Sequence, residues 1–355
     1  VILLLKILVN LLLWENWLSE KRITIKDIAE KAGVSYTTAS LVLSGKGKIS
    51  KETQEKVFKV ASELGYISNR RTQEGISLIA FIDGTHYTGG FYMPLIQGVI
   101  DRLRNEGYYT NLDIRGDYGP DEFIKRKEIL ENIPNNSNGI LILSHWSLSI
   151  DELLPFLDNK RPFIVLGGSI SGFERNFVTA EHYKGAFDVV EYLIKLGHRD
   201  IAHISGPKGH QHAELRLKGY IDALTKHNIP IREEYILEGD YHKKSAVEAM
   251  EKILNLKPLP SAIFVANDNM ALAAMQVAKD NGLKVPEDIS FVGFDDIHAA
   301  SLADPPLTTV RQPLYDIGRD GAEMLIGLLE SGNLFIEPRM LRASLVIRKS
   351  VIERR

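Results

Sequence analysis

The stretch TIKDIAEKAGVSYTTASLVLSGKGKISKETQEKVFKVASELGY, residues 24–66, decides how the chain is read. It divides into three short helical segments, the first two joined by a tight turn through Lys31, Ala32, Gly33, Val34 and Ser35. That is the outline of a helix-turn-helix, whose second helix enters the major groove of DNA. Thr24 is placed to cap the first helix, and Asp27 adds negative charge to its positive end. Ile25, Ile28, Ala29 and Ala32 recur at helical spacing and predict one buried stripe. Gly33 permits the sharp turn, and Ser35 stands where the next helix needs a cap. On that helix Ala39, Val42 and Leu43 face inward, which leaves Tyr36, Thr37, Ser40 and Leu41 outward. Ser50 opens a third helix with the stripe Val57, Val60, Ala61 and Leu64.

Charge separates DNA binding from the alternative, a small helical interaction domain with a solvated basic face. Residues 21–71 hold eleven Lys/Arg against five Asp/Glu, a net of +6; the whole chain is −3, so the remainder carries −9. A basic module on an acidic body suits phosphate contact by one end only. A length of 355 residues implies two or three domains, and 44% hydrophobic residues suit a soluble globular protein. The absence of cysteine excludes disulfides, thiolate metal sites and thiol catalysis, and is compatible with a cytoplasmic location. Residues 1–13 are nearly all apolar, broken by Lys6 and Asn10, and are short for a bilayer span. They lack the positive start and small-residue cleavage site of a signal peptide, and the first Met is Met93. Residues 1–21 are therefore set apart as an atypical extension: upstream sequence, an extra helix, or an anchor.

From residue 76 onward, strand and helix alternate. Apolar runs at 78–82, 139–143, 163–166, 201–204, 262–266 and 290–294 have the length and continuity of strands buried on both faces. Helical patterns fall between them at 94–107, 184–196, 213–227, 244–255 and 269–281. The alternation predicts an α/β protein of parallel sheets wrapped by helices. About ten such strands exceed one comfortable sheet, so the core reads as two doubly wound lobes. Ligands in such folds bind beyond the C-terminal strand ends.

Several strings are similar to the lactose-repressor (LacI/GalR) family over nearly the whole length from Ile23. They are AGVSYTTASLVLSGKGKIS, KLGHRDIAHISGP, LRLKGY, AIFVANDNMALAAM, VPEDISFVGFDD and PPLTTVRQP, all in collinear order. The resemblance implies a helix-turn-helix headpiece, a DNA-binding hinge and a two-lobed core like that of periplasmic sugar-binding proteins. It also implies a homodimer or tetramer that binds a palindromic double-stranded operator under control of a small effector, with a carbohydrate as the family expectation. An effector bound between the lobes would favour one arrangement of them and thereby set the spacing of two headpieces. The domains predicted are the headpiece at 22–68, a shortened link at 69–76, one lobe at 77–178 and 312–330, and the other at 179–311 and 331–355.

Site residues follow one by one. Asn267 directly follows the run 262–266 and Asp295 the run 290–294, and the family uses matching Asn and Asp residues for ligand hydroxyls or ring nitrogens. For the neighbours, Asp268 as a helix cap and Asp296 as a structural turn residue are the alternatives. Arg216 in LRLKGY matches the family's cleft arginine, whose planar fork suits paired oxygens. Tyr241 matches a cleft aromatic, Phe91 and Tyr92 sit where the family places aromatics, and Asp83 ends the first core strand beside them. At the DNA end, Tyr36, Thr37 and Ser40 are expected to approach base edges, with Ser35 and Leu41 on the same surface. Lys46, Lys48, Arg70 and Arg71 are expected to serve phosphates.

The chain also departs from the family pattern. Gly167 and Gly168 stand where many relatives have Asp and Arg, Glu181 and His182 replace a frequent Asp and Asn, and Glu214 replaces a second arginine of some sugar-responsive members. Leu41 stands where relatives often carry an arginine that pairs with guanine; it offers only apolar contact, for instance to a thymine methyl. The link RRTQEGIS shows no clear candidate for the leucine that wedges into the minor groove. His210, His212 and Glu214 lack further ligands for a metal and read as a polar loop. A secreted binding protein would share the core but not the headpiece. An enzyme would need a nucleophile with its base, a metal set or a phosphate loop, and the chain offers no such set. Neither cofactor nor metal is expected.

Overall fold

A computed structural model describes residues 24–43, 49–64, 75–81, 91–116, 122–133 and 137–354. The expectations for residues 1–21, Lys46, Lys48, Arg70, Arg71, Asp83 and most of the link lie outside the described residues.

The N-terminal unit consists of α1 (Ile25–Ala32), α2 (Tyr36–Leu43) and α3 (Lys51–Glu63). A capping box starts α1: the Thr24 hydroxyl accepts the Asp27 N–H at 3.4 Å while the Asp27 carboxylate accepts the Thr24 N–H at 2.7 Å. Gly33 ends the helix at φ 63°, a left-handed conformation that costs glycine nothing. The Ser35 hydroxyl then accepts the Thr38 N–H at 3.0 Å, and the Ser50 hydroxyl the Thr53 N–H at 3.4 Å, capping α2 and α3. Ile28, Ala29, Ala32, Ala39, Val42, Leu43, Val57 and Ala61 converge in one core, with Ile25, Val60 and Leu64 at its margin. Burying one large aliphatic side chain stabilises by about 1.5–3 kcal/mol. With so few of them, caps of about 1 kcal/mol each are a sizeable share. The stripes leave Tyr36 58% exposed and Thr37 exposed, while Ser40 and Leu41 are half-buried.

The second unit begins with β1 (Gly75–Phe81), whose first two residues the sequence division had placed in the link. Then come α4 (Met93–Asn105), β2 (Tyr109–Arg115), α5 (Phe123–Glu131), β3 (Ser137–Ser144), β4 (Leu148–Ser149) and α6 (Ile150–Asp158). β5 (Phe163–Leu166), β6 (Ile170–Ser171) and β7 (Phe177–Ala180) complete this half. The next half runs α7 (His182–Lys195), β8 (Ile201–Ser205), α8 (Gln211–Lys226), β9 (Ile236–Glu238), α9 (Lys243–Leu254), β10 (Ala262–Val265) and α10 (Asp268–Asp280). It closes with β11 (Ser290–Val292), α11 (His298–Leu302) and β12 (Thr309–Arg311), followed by α12 (Leu314–Ser331), β13 (Arg339–Leu341) and β14 (Ser344–Val346).

The strands form a six-stranded sheet, β13-β7-β5-β3-β1-β2, and a four-stranded sheet, β11-β10-β8-β9. All neighbours within both sheets are parallel. Short pairs β4-β6 and antiparallel β12-β14 accompany them, the latter joined to the β11 segment by bridges Val292/Thr308 and Asp295/Arg311. In each lobe the first strand (β1, β8) lies between the second and third, so the chain winds outward in both directions. The crevice at that reversal, beyond the C-terminal strand ends, is where such sheets take ligands.

Three segments cross between the lobes: after β7, between β12 and α12, and between β13 and β14. The third corrects the sequence division, which gave 331–355 to the second lobe. Arg339, Met340 and Leu341 instead pair with Val178, Thr179 and Ala180 at the edge of the first sheet. Where α4 meets α12, a Cβ on Gly98 would lie 2.1 Å from the Tyr315 carbonyl oxygen and one on Gly318 2.0 Å from that of Leu95. Only glycine allows the two backbones so close. Among the described residues, no helix is long and apolar enough to cross a membrane.

The first lobe buries a bidentate ion pair: Arg126 Nε donates to Glu152 Oε1 at 2.7 Å and Nη2 to Oε2 at 3.2 Å. Glu152 also accepts the Ser149 N–H at 2.8 Å, at the start of α6. Arg126→Met leaves that carboxylate buried without its cation and is expected to cost about 3–5 kcal/mol, measured by urea unfolding. A loss below about 1 kcal/mol, the size of a surface pair, contradicts this account.

Candidate functional site

Five strand ends of the second unit deliver side chains to one cleft. His145 follows β3, His210 and Arg216 lie at the start of α8 after β8, Tyr241 follows β9, Asn267 follows β10, and Asp295 follows β11. A single cavity is lined by these residues together with Phe91, Tyr92, Gly167, His212, Gln312 and Leu314. Six of the seven effector candidates read from the sequence are thus brought together, and the seventh, Asp83, lies outside the described residues.

Arg216 is the centre of the second lobe's wall. It is 4% exposed, lies 3.8 Å above the Phe294 ring, and donates through Nη1 to the Ala266 carbonyl and through Nη2 to His182 Nδ1 at 3.2 Å. Its Nη2 also lies 3.6 Å from Asp295 Oδ1. Asp295 accepts the Gln312 Nε2 N–H at 2.8 Å, and Gln312 belongs to a crossing segment. Tyr241 and Asp295 stand at φ 70° and 117°. Non-glycine residues held at positive φ cost of order 1–3 kcal/mol and cluster at binding sites. A Cβ on Gly206 would lie 2.4 Å from the Tyr241 ring, so glycine there makes room for it. Burial pushes the Tyr241 phenol up to about 12.

The aspartates divide their work differently from the simplest reading of the sequence. Asn267, not Asp268, caps α10: its Oδ1 accepts the Met270 N–H at 2.9 Å, while its Nδ2 donates to the Tyr241 carbonyl at 3.0 Å. One N–H and one lone pair of its amide are left for a ligand. Asp268 is fully buried behind the wall, and Asp296 is held by Arg311 at 2.6 Å and by Arg348 at 2.5 Å. Asp296 is therefore structural.

The histidines are the main correction. His210 and His212 were expected in a polar loop, yet His210 is 1% exposed and His212 lies buried in the first turn of α8. His212 stacks on His182 with centroids 3.8 Å apart, and His210 packs against His145 at 5.4 Å, Trp146 at 4.5 Å and Tyr241 at 5.0 Å. Beside them, the Ser147 hydroxyl (2.9 Å) and the Ser169 hydroxyl both donate to Gln211 Oε1, linking the two lobes. Sequence reasoning passed over His145, Trp146, His182, Gln211 and Gln312; the one available signal was His182 replacing a neutral amide. The glycines at 167 and 168 also find a reason. A Cβ on Gly168 would lie 2.6 Å from the Ser144 carbonyl and 2.9 Å from that of Trp146, so the segment 144–146 closes over the backbone there. Among the described residues, no group of three or more His, Asp or Glu is arranged to hold a metal ion.

A helix-turn-helix unit followed by a two-lobed parallel α/β core defines a DNA-binding transcriptional regulator with a periplasmic-binding-protein-like domain. Comparison with known proteins agrees. Residues 24–69 match the family described as "Bacterial regulatory proteins, lacI family", and residues 190–351 match "Periplasmic binding protein-like domain". The chain is 32% identical over 338 residues to the "Probable HTH-type transcriptional repressor ExuR" of Bacillus subtilis (strain 168), covering 93% of this chain and 98% of that one. Among solved structures, a complex of the transcriptional regulator CelR with cellobiose superposes with a TM-score of 0.70 at 31% identity, over 93% of this chain and all of that one. The Lac repressor dimer bound to operator and the anti-inducer ONPF also gives 0.70, at 30% identity, over 94% of this chain and all of that one. The chain belongs to the LacI family of DNA-binding transcriptional repressors.

The histidines make stability depend on pH. Burial, reinforced by the positive charge of Arg216 and by neighbouring imidazoles, holds His182, His210 and His212 well below the usual range. Burial also lowers His203 to about 4 and, less strongly, lowers His198. Unfolded, each titrates near 6.5. Below that value the unfolded chain binds more protons than the folded one, so stability falls as pH falls. Asp268 acts in the opposite sense, since burial and Asp295 push its carboxyl well above the usual range, but it is one group against several. The melting temperature should therefore drop steadily from pH 7 to pH 5, each histidine costing at most about 1.4 kcal/mol per unit. A calorimetric profile flat across that interval contradicts burial of neutral imidazoles.

Proposed function

We propose that the protein represses transcription in the cytoplasm by binding a palindromic operator as a homodimer, and that a small carbohydrate-class effector in the cleft sets its operator affinity. The observation that carries this reading is the convergence of Arg216, Tyr241, Asn267 and Asp295 from separate strand ends on one cavity opposite Phe91 and Tyr92. CelR, solved with cellobiose and similar over the whole core, supports a sugar-like occupant. Leu112 and Ile114, exposed two residues apart on one face of the edge strand β2, favour association with a second copy.

In this reading residues 22–68 are the DNA-binding headpiece and 69–76 the link to the core. Tyr36, Thr37 and Ser40 read base edges from α2, Ser35 and Leu41 flank them, and Leu41 adds apolar contact. Lys46, Lys48, Arg70 and Arg71 neutralise phosphates. Operator and effector must change each other's affinity by the same factor, because both bias one equilibrium between arrangements of the core.

Tyr36→Ala and Thr37→Ala should each lose operator discrimination by about 1–3 kcal/mol, while salt-sensitive nonspecific binding persists. A gel-shift titration showing unchanged sequence preference would sink this assignment. Screening sugars by thermal shift and operator release should yield an effector whose action Asp295→Ala abolishes without unfolding the protein. An unaltered effector-induced shift in that variant would count against the cleft.

A further inference from the structure

The cavity between the lobes is nearly full. It encloses about 50 Å³, room for a few waters, whereas small-molecule sites hold roughly 300–1,000 Å³. The lobes meet beside it through the turn 145–147, between β3 and β4 of the first lobe, which rests on the start of α8 in the second. His145 stacks on His210 with ring centroids 5.4 Å apart, and Trp146 packs on the same imidazole at 4.5 Å. Next to them Gln211 Oε1 accepts from the Ser147 hydroxyl at 2.9 Å and from the Ser169 hydroxyl. The turn is seated within its own lobe as well. The Ser144 hydroxyl donates to the Trp146 carbonyl at 3.0 Å, and the carbonyls of Ser144 and Trp146 lie over Gly168, where a Cβ would come within 2.6 and 2.9 Å of them.

We propose that this turn is a latch: without effector, residues 145–147 hold the lobes shut on α8, and a ligand enters the cleft only as the latch lets go. The other polar bridge at the cavity, Asp295 to Gln312, runs to a crossing segment that the chain ties to both lobes in any arrangement. Ser147 and Gln211 are 64 residues apart, and contacts alone bring them together. A ligand set between Tyr92 and His145 on one wall and the second lobe on the other parts the walls by one layer of atoms, roughly 3.5 Å. A hydrogen bond of 2.9 Å does not survive that separation. Latch and ligand therefore compete, and the affinity seen for a cleft ligand is its intrinsic affinity reduced by the fraction of molecules standing open. That competition rests on the cleft being the effector site; closure by the latch does not.

The test uses the full chain with Trp14→Phe and Trp17→Phe, which leaves Trp146 as its one tryptophan. Acrylamide quenching of its fluorescence is measured without ligand, on variants that circular dichroism shows to be folded. Gln211→Ala removes the acceptor on the α8 side, and Gly168→Ala pushes the turn off its seat from the other side. Singly or combined, they should raise the quenching constant about twofold or more, the loss of one hydrogen bond shifting the open-to-closed ratio severalfold. A constant unchanged in both single variants and in the double variant overturns the latch. So does a parent chain quenched as readily as free N-acetyltryptophanamide. Competition is read by calorimetry with D-glucose, D-galactose, D-mannose and cellobiose on the unaltered chain and on Gln211→Ala, since Gln211 does not line the cavity. Each sugar that binds should bind the variant severalfold tighter; equal or weaker binding overturns the competition. If quenching responds but none of the sugars binds either chain, the latch stands and the carbohydrate reading of the cleft falls.

Discussion

The Asp268 carboxylate, fully buried at the start of α10, accepts the Ile297 N–H at 2.9 Å and the Thr309 hydroxyl at 2.5 Å, while its own N–H donates to the Phe294 carbonyl at 2.8 Å. One side chain thereby ties together the ends of β10, β11 and β12. Its space is reserved: a Cβ on Gly293 would lie 2.1 Å from Asp268 Oδ1. The turn so pinned carries Asp295 and Asp296 at φ 117° and 58°, conformations that a free loop would leave. Asp296 is clamped behind it by Arg311 and Arg348, and Asp295 is presented to Arg216 and Gln312. Without this knot, Asp295 would not be held beside Arg216.

Residues in the cleft and beside it also join the lobes. Asp295 bonds Gln312 in a crossing segment, Gln211 bonds Ser147 and Ser169, and His210 packs on Trp146. A ligand that competes for these groups, or bridges them, has a different free energy with each lobe arrangement. That difference is the only means by which binding can shift the equilibrium between them.

How much was legible in the sequence depended on how local each cause is. The headpiece was read closely because its stripes and the caps at Thr24, Ser35 and Ser50 span three or four residues. The buried strands showed as continuous apolar runs for the same reason. β2, half exposed along its length, and β13, three residues long, have strand identity only through their neighbours, and so were missed. A capping role for Asp268 stood only as an alternative in the sequence, and backbone geometry, not composition, gives the cap of α10 to Asn267. His210 and His212 were misread because the groups that bury them, His145, Trp146, His182 and Tyr241, come from at least about 30 residues away in the chain.

By itself the sequence determined the three-helix headpiece and the two-lobed parallel core, because periodicity, capping and strand ends are short-range properties, while Arg216, Tyr241, Asn267 and Asp295 stood out through their match to the family pattern. Only the tertiary structure decided what the cleft asks of a ligand. Which donors and acceptors remain unpaired depends on contacts among α7, α8, α10 and the crossings, and a hydrogen bond made across sixty residues leaves no trace in the pattern along the chain.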